Sequence, residues 1–287
     1  MIDIENLRFS YPKQTDDTIK GINFSIKEGE IYGFLGPSGA GKSTTQKIIT
    51  RLVNGFQGKV WIMGKDLKNW NNDYYNHIGV GFELPNHYAK LTGLENLKLF
   101  ASLYDKFPQN LMGLLEQVGL AEAAHQKTQD YSKGMKMRLN FVRALIHDPD
   151  ILFFDEPTTG LDPVNARNIK NIIKDLKQQG KTIFLTTHNM YDADELCDRV
   201  AFITEGLIKA EDAPKALKLK YGKPLLNVEY EDSDLKSVEF DLKNLGQNQE
   251  FMKIIKKQRI ISMHTREASL DEVFVKITGE NLTNIEE

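Results

Sequence analysis

Gly36-Pro37-Ser38-Gly39-Ala40-Gly41-Lys42-Ser43 decides how this chain folds. The octet fits the pattern G-x-x-x-x-G-K-[ST], which carries meaning only between a strand and a helix. Both flanks supply that context. Ile31 to Leu35 is a mostly apolar run of strand length, and Lys42 to Val53 carries Ile48, Ile49, Leu52 and Val53 at helical spacing. Glycines let a backbone wrap phosphate oxygens with its N–H groups, and the helix start adds the positive end of its dipole. Lys42 is therefore predicted to reach the β- and γ-phosphates of a nucleoside triphosphate. Ser43 is predicted to place its hydroxyl on Mg²⁺, which takes oxygen ligands and keeps several waters. The loop alone does not separate GTPases, kinases, helicases and transport ATPases.

Ile151-Leu152-Phe153-Phe154-Asp155-Glu156 is an apolar strand that ends in two carboxylates. Asp155 stands where a strand-end acid holds Mg²⁺ through water, and Glu156, one step on, can polarise the attacking water. Thr182 to Leu185 is a further short strand, and the amphipathic stretch Asn165 to Gln178 lies between the two, closed by Gly180. That is a βαβ unit with parallel strands. Toward the N-terminus, Ile2 to Phe9 and Ile22 to Ile26 alternate apolar and polar residues as half-buried strands do. Leu94 to Tyr104 and Leu111 to Val118, separated by Pro108, read as helices within an insertion from about Gly93 to Leu145. Past Tyr221 the pattern changes. Leu225 to Tyr230 and Ile260 to Met263 read as strands, Glu250 to Lys257 and Leu270 to Ile277 as helices, together a small α+β unit.

Composition narrows the function. In 287 residues, 40% are hydrophobic and 27% charged, which is ordinary for a globular chain. A net charge of −3 gives no electrostatic footprint for nucleic acid, so no nucleic-acid partner is expected. The single cysteine, Cys197, closes no internal disulfide and reads as an inert thiol in a reducing compartment. The start, MIDIENLRFSYPK, lacks the basic residues and apolar stretch of a secretory signal, and no run approaches the roughly 20 apolar residues of a membrane span. A guanine-specific Asn/Thr-Lys-x-Asp motif is missing, which argues against a GTP switch.

With the phosphate loop and the acidic strand end in place, the chain resembles the ABC ATPases through about residue 210. Tyr131-Ser132-Lys133-Gly134-Met135, just ahead of a helix, lies where that family carries its LSGGQ-like signature. Thr159-Gly160-Leu161-Asp162 looks like the D-loop, His188 like the switch histidine and Tyr11 like the aromatic that stacks on adenine. The resemblance implies that Tyr11, Gly36, Pro37, Ser38, Gly39, Ala40, Gly41, Lys42, Ser43 and Thr44 bind ATP, joined by Ser132, Gly134 and Asp162. It implies Ser43, Glu83 and Asp155 as the metal residues and Glu156 and His188 as the catalytic ones. It further implies that Ser132 and Gly134 act across a dimer, clamping ATP held by a second ATP-binding subunit, either an identical copy or a paralogue. A hydroxyl and N–H groups at a helix start suit a γ-phosphate.

Two motifs depart from the family. Glu83, in Gly79-Val80-Gly81-Phe82-Glu83-Leu84-Pro85, stands where a glutamine is usual, and Lys133 and Met135 replace the usual glycine and glutamine of the signature. These variants, with the ending Ser269-Leu270-Asp271-Glu272-Val273-Phe274, resemble ATPases of ABC-2-type bacterial drug and antimicrobial-peptide exporters. The resemblance then implies a separate transmembrane permease whose short helix docks on Glu83 to Leu91, and a peripheral place on the cytoplasmic face of the membrane. The expected fold is an α/β P-loop NTPase of ABC type, with a β-rich N-terminal subdomain, a parallel-sheet core, a helical insertion and a small C-terminal α+β domain. Residues 1–220 form the expected ATP-binding domain, its helical subdomain at about 93–145, and 221–287 the accessory domain.

Overall fold

A computed structural model of the chain describes residues 1–12, 14–105 and 110–279. Pro108, the predicted break between two helices, lies outside these residues. The described residues fall into two compact units, one running through Glu211 and one from Asp212 onward.

In the first unit the chain runs β1 (Ile2–Phe9), β2 (Ile19–Ile26), β3 (Ile31–Leu35), α1 (Lys42–Ile49), β4 (Gln57–Ile62), β5 (Lys65–Asp66), α2 (Tyr74–His77) and β6 (Ile78–Gly81). It continues through α3 (Gly93–Ala101), α4 (Leu111–Gln117), α5 (Lys133–Arg143), β7 (Ile151–Asp155), α6 (Pro163–Gln178), β8 (Thr182–Thr187), α7 (Met190–Leu196), β9 (Arg199–Thr204) and β10 (Leu207–Asp212). Two sheets result, β2-β1-β4-β5 and β10-β9-β3-β8-β7-β6. The first is antiparallel, whereas β3 pairs parallel with β8 and β9, and β7 pairs parallel with β8 and β6.

Sequence explains the division. Every residue of β3, β7 and β8 is buried, as expected of a parallel sheet covered on both faces, while β1 alternates in and out. An aromatic cluster joins the sheets: Phe24 stacks on Tyr32 with ring centroids 5.4 Å apart and tilts against Phe34 at 5.3 Å. On the helical side Phe141 of α5 stacks on Phe154 of β7 at 4.6 Å. Cys197 lies buried under β3, where a Cβ on Gly33 would come within 2.7 Å of its sulfur, and burial pushes its thiol pKa far up. The helix after the phosphate loop ends at Ile49, short of the predicted Val53, because the chain turns at Arg51 with φ +60°.

The second unit holds α8 (Pro214–Tyr221), β11 (Leu225–Asp232), β12 (Asp234–Asp241), α9 (Gln249–Lys257), β13 (Arg259–Arg266) and α10 (Leu270–Thr278). An antiparallel sheet β12-β11-β13 closes over Leu226, Val228, Phe240 and Ile254. The division falls before α8 rather than after it, because α8 belongs with α10: Lys276 Nζ donates to Tyr221 O at 2.6 Å.

Candidate nucleotide site

The phosphate loop follows β3 with its tip open. Ser38 and Gly39 are exposed while Gly36, Ala40, Gly41 and Lys42 are buried. Glycine is needed at two points. A Cβ on Gly36 would collide with the carbonyl oxygen of Ile203, and Gly41 has φ +108° with Ile19 Cδ1 only 2.6 Å from where a Cβ would stand. Ala40 N donates to Pro37 O at 3.2 Å, and Gly206 N to Ala40 O at 3.1 Å, which pins the loop to the β9–β10 turn. Lys42 is 8% exposed; its Nζ donates to Gly36 O at 2.7 Å and Pro37 O at 3.0 Å. Burial lowers its pKa, against the pull of Glu156, Asp155 and Glu83, so all three carboxylates stand near its ammonium.

Asp155, 7% exposed at the end of β7, accepts from Thr186 Oγ1. Burial raises its pKa, with the hydroxyls of Thr186 and Ser43 opposing. Glu156 has φ +51°, a left-handed backbone that is uncommon outside glycine and that fixes the direction of its side chain. Its carboxylate accepts from Thr159 Oγ1 at 3.1 Å, Thr187 Oγ1 at 2.9 Å, His188 N at 2.9 Å and His188 Nδ1 at 2.6 Å. The acceptor sets the tautomer, with the proton on Nδ1. Tyr11 is half-buried, its hydroxyl 3.2 Å from Thr44 Oγ1 and its ring edge-on to Phe9 at 4.9 Å. Tyr11, Thr44, the loop, Asp155, Glu156 and His188 thus form one neighbourhood.

A second group forms at the starts of α5 and α6. Ser132 caps α5, accepting from Met135 N at 3.2 Å, and a Cβ on Gly134 would stand 3.6 Å from Leu161 Cδ2. Lys133 covers Gly160, and Asp162 caps α6 by accepting from Val164 N and Asn165 N, both at 3.1 Å. The Asn165 side chain, first, and its backbone N–H hold the Asp162 pKa below the usual carboxylate range. Glu83 is exposed just beyond β6, and Asn140 Nδ2 holds the preceding Phe82 O at 2.6 Å.

Sequence reading does not single out Thr186 and Thr187, and it names Thr159 only as the first residue of the D-loop-like turn. The signal of Thr186 and Thr187 is two threonines between an apolar strand and His188, but threonine is common in strands and turns and draws no notice alone. Beside the site, a groove of about 570 Å³ is lined by Leu52, Phe82, His87, Tyr88 and Leu103 among others, and Leu52, Tyr88 and Leu103 are 55%, 56% and 72% exposed.

Comparison with known proteins gives one direction. Residues 19–159 match the family model described as ABC transporter, and residues 225–267 match the fluoroquinolone efflux ABC transporter C-terminal domain. A fluoroquinolones export ATP-binding protein of Mycobacterium tuberculosis (strain CDC 1551 / Oshkosh) is 51% identical over 99% of this chain and 95% of its own length. A lantibiotic transport ATP-binding protein of Streptococcus pyogenes is 35% identical over 74% of this chain and 90% of its own. Among solved structures, a dimeric ATP-binding cassette in a post-hydrolysis state bound to ADP and Pi matches with TM-score 0.69 and 28% identity, covering 74% of this chain and 98% of that one.

Proposed function

The chain belongs to the ABC transporter family as an ATP-binding, ATP-hydrolysing exporter subunit, and we propose how its residues divide that work and what it helps to export. The observation that carries the proposal is the neighbourhood around Lys42, in which the phosphate loop, Asp155, Glu156 and His188 meet. An ammonium has three N–H donors; two of Lys42's go to loop carbonyls, leaving a third for a phosphate oxygen. Tyr11 stacks on the base from its place above Thr44. Glu156 orients the attacking water, and His188 holds Glu156.

The oxygen donors of Ser43 and Asp155 suit Mg²⁺, which takes few protein ligands and completes its shell with phosphate oxygens and water. That fits a site where, among the described residues, no group of three His, Cys, Asp or Glu could hold a metal alone. Held by Ser43 and Asp155, Mg²⁺ would supply the charge that neutralises what develops on the transferring phosphoryl group. Glu83, whose charge pulls on Lys42, would touch such an ion through its waters. Ser132 accepts from Met135 N, so its own O–H is left to donate, and Ser132 and Gly134 serve the ATP of a second subunit.

Among the described residues no helix is long and apolar enough to cross a membrane. The groove beside Tyr88 and Leu103 suits a short helix of a separate permease, and the chain then works peripherally on the cytoplasmic face. The cargo we infer to be a fluoroquinolone-type antibacterial, in line with the 51% identical relative and the matching C-terminal stretch. The test uses the chain reconstituted in vesicles with the membrane protein that co-purifies with it. Wild type should move a fluoroquinolone out on addition of MgATP, and Lys42→Ala should stop both hydrolysis and efflux with its circular dichroism unchanged. Hydrolysis at the wild-type rate in Lys42→Ala overturns the phosphate-loop assignment; ATP-driven hydrolysis with no drug movement overturns the cargo.

A further inference from the structure

An ionised carboxylate offers about four lone-pair sites. Glu156 is 5% exposed, and four donors already point at it: His188 N and Nδ1 on Oε1, Thr187 and Thr159 hydroxyls on Oε2. Its acceptor capacity is full. To orient the attacking water the carboxylate must accept a hydrogen bond from that water. One of the four donors has to withdraw first.

Two of them, the Thr187 hydroxyl and His188 N, sit at the end of β8 and are held there; the His188 ring is 55% exposed, but its contact, at 2.6 Å, is the shortest of the four, and that of Thr159, at 3.1 Å, the longest. Thr187 is 1% exposed and its hydroxyl also accepts from Asn189 N at 2.9 Å; His188 follows directly. Asp155 is in register with Thr186, and Glu156 N donates to Thr186 O at 2.9 Å, so the Thr187 hydroxyl and His188 N move only with the sheet. Thr159 differs. It lies outside every strand, half-buried, in a turn closed by Thr159 N donating to Glu156 O at 3.2 Å. Rotation about one side-chain bond removes its hydroxyl from Oε2. The residues that follow, Gly160 and Leu161, lie against Lys133 and Gly134 at the start of α5.

We propose that Thr159 is a positioning residue that latches Glu156, filling its last acceptor site until the turn shifts and frees Oε2 for water. The latch rests on the reading of Glu156 as the water-orienting group. The same turn runs on to the half-site of Ser132 and Gly134, so closure of a second subunit there and release of Glu156 become one movement.

The experiment is ATP hydrolysis by the purified full chain with Thr159→Val, which keeps the shape and removes the hydroxyl, beside Thr159→Ser, which restores it. Thr159→Val should raise kcat about three- to tenfold, the worth of one hydrogen bond, with KM for ATP unchanged, and Thr159→Ser should run at the wild-type rate. A kcat at or below wild type in a folded Thr159→Val protein overturns the latch, because Thr159 then supports Glu156 or does nothing to it. If Thr159→Val fails to fold by circular dichroism, Thr159→Ala carries the same expectation and the same refutation. The double variant Glu156→Gln/Thr159→Val tests the underlying reading separately. It should be inactive, and if it turns over as fast as Thr159→Val alone, the assignment of Glu156 falls and the latch with it.

Discussion

At the scale of single residues, Asp155 illustrates what a buried acid does to an otherwise apolar strand. It is 7% exposed, and burial raises its pKa despite the hydroxyls of Thr186 and Ser43 beside it. An acid with a raised folded-state pKa lends stability below its unfolded pKa and loses it as pH rises through the folded one, so at neutral pH the ionised group weakens the fold. Asp155→Asn should therefore raise the Tm of the nucleotide-free protein by a few degrees, about 1 kcal/mol, while weakening Mg²⁺-dependent ATP binding. The gain should shrink as pH falls into the ordinary carboxylate range. Calorimetry at pH 7.5 and pH 5, beside nucleotide titration with and without Mg²⁺, checks both halves; a lower Tm at pH 7.5 contradicts the account. The residues legible in the sequence were those whose motif fixes both type and spacing, such as Lys42, Ser43, Asp155 and Glu156. Thr187 and Thr159 act only through a third residue that folding brings to them, and no spacing rule announces such a contact.

At the scale of elements, β3, β7 and β8 were readable because both faces are covered and the apolar run is continuous. Strands β4 and β12 went unread: Gln57–Ile62 buries only Val60 and Ile62, and Asp234–Asp241 buries only Phe240, so solvent-facing residues dilute the pattern. The groove beside β6 carries its own pH dependence. His87 Nε2 donates to Lys136 O at 3.0 Å, and burial lowers the ring's pKa from 6.5 to about 4. A base with a depressed folded-state pKa contributes stability above its unfolded value and loses it as pH falls through the folded one. Between pH about 6.5 and about 4 the wild type should thus lose stability that His87→Gln, which keeps a donor for Lys136 O and does not titrate, retains. Urea unfolding at pH 7 and pH 5 makes the comparison. Equal losses for the two proteins would remove His87 as the cause.

At the scale of the molecule, the first unit carries on one chain the two groups of residues proposed as half-sites. One gathers the phosphate loop, Asp155, Glu156 and His188; the other presents Ser132 and Gly134 at the start of α5. The order of these motifs in the sequence made their family legible, but not that the D-loop-like turn packs on Lys133, since that depends on how α5 and the turn after β7 come together. The central claim is that a complete ATP site needs two such units, with Glu156 performing the step that lets them separate. Light scattering of purified Glu156→Gln protein, with and without MgATP, tests it most directly. Removing the water-orienting group lowers hydrolysis by roughly 10²–10⁴-fold while leaving phosphate contacts intact, so MgATP should convert the monomer to a dimer holding uncleaved ATP. Adding Ser132→Arg should return it to monomer; where the natural mate is a paralogue, that chain belongs in the same tube. A Glu156→Gln protein that binds ATP, leaves it uncleaved and stays monomeric with each candidate mate present contradicts the two-unit site.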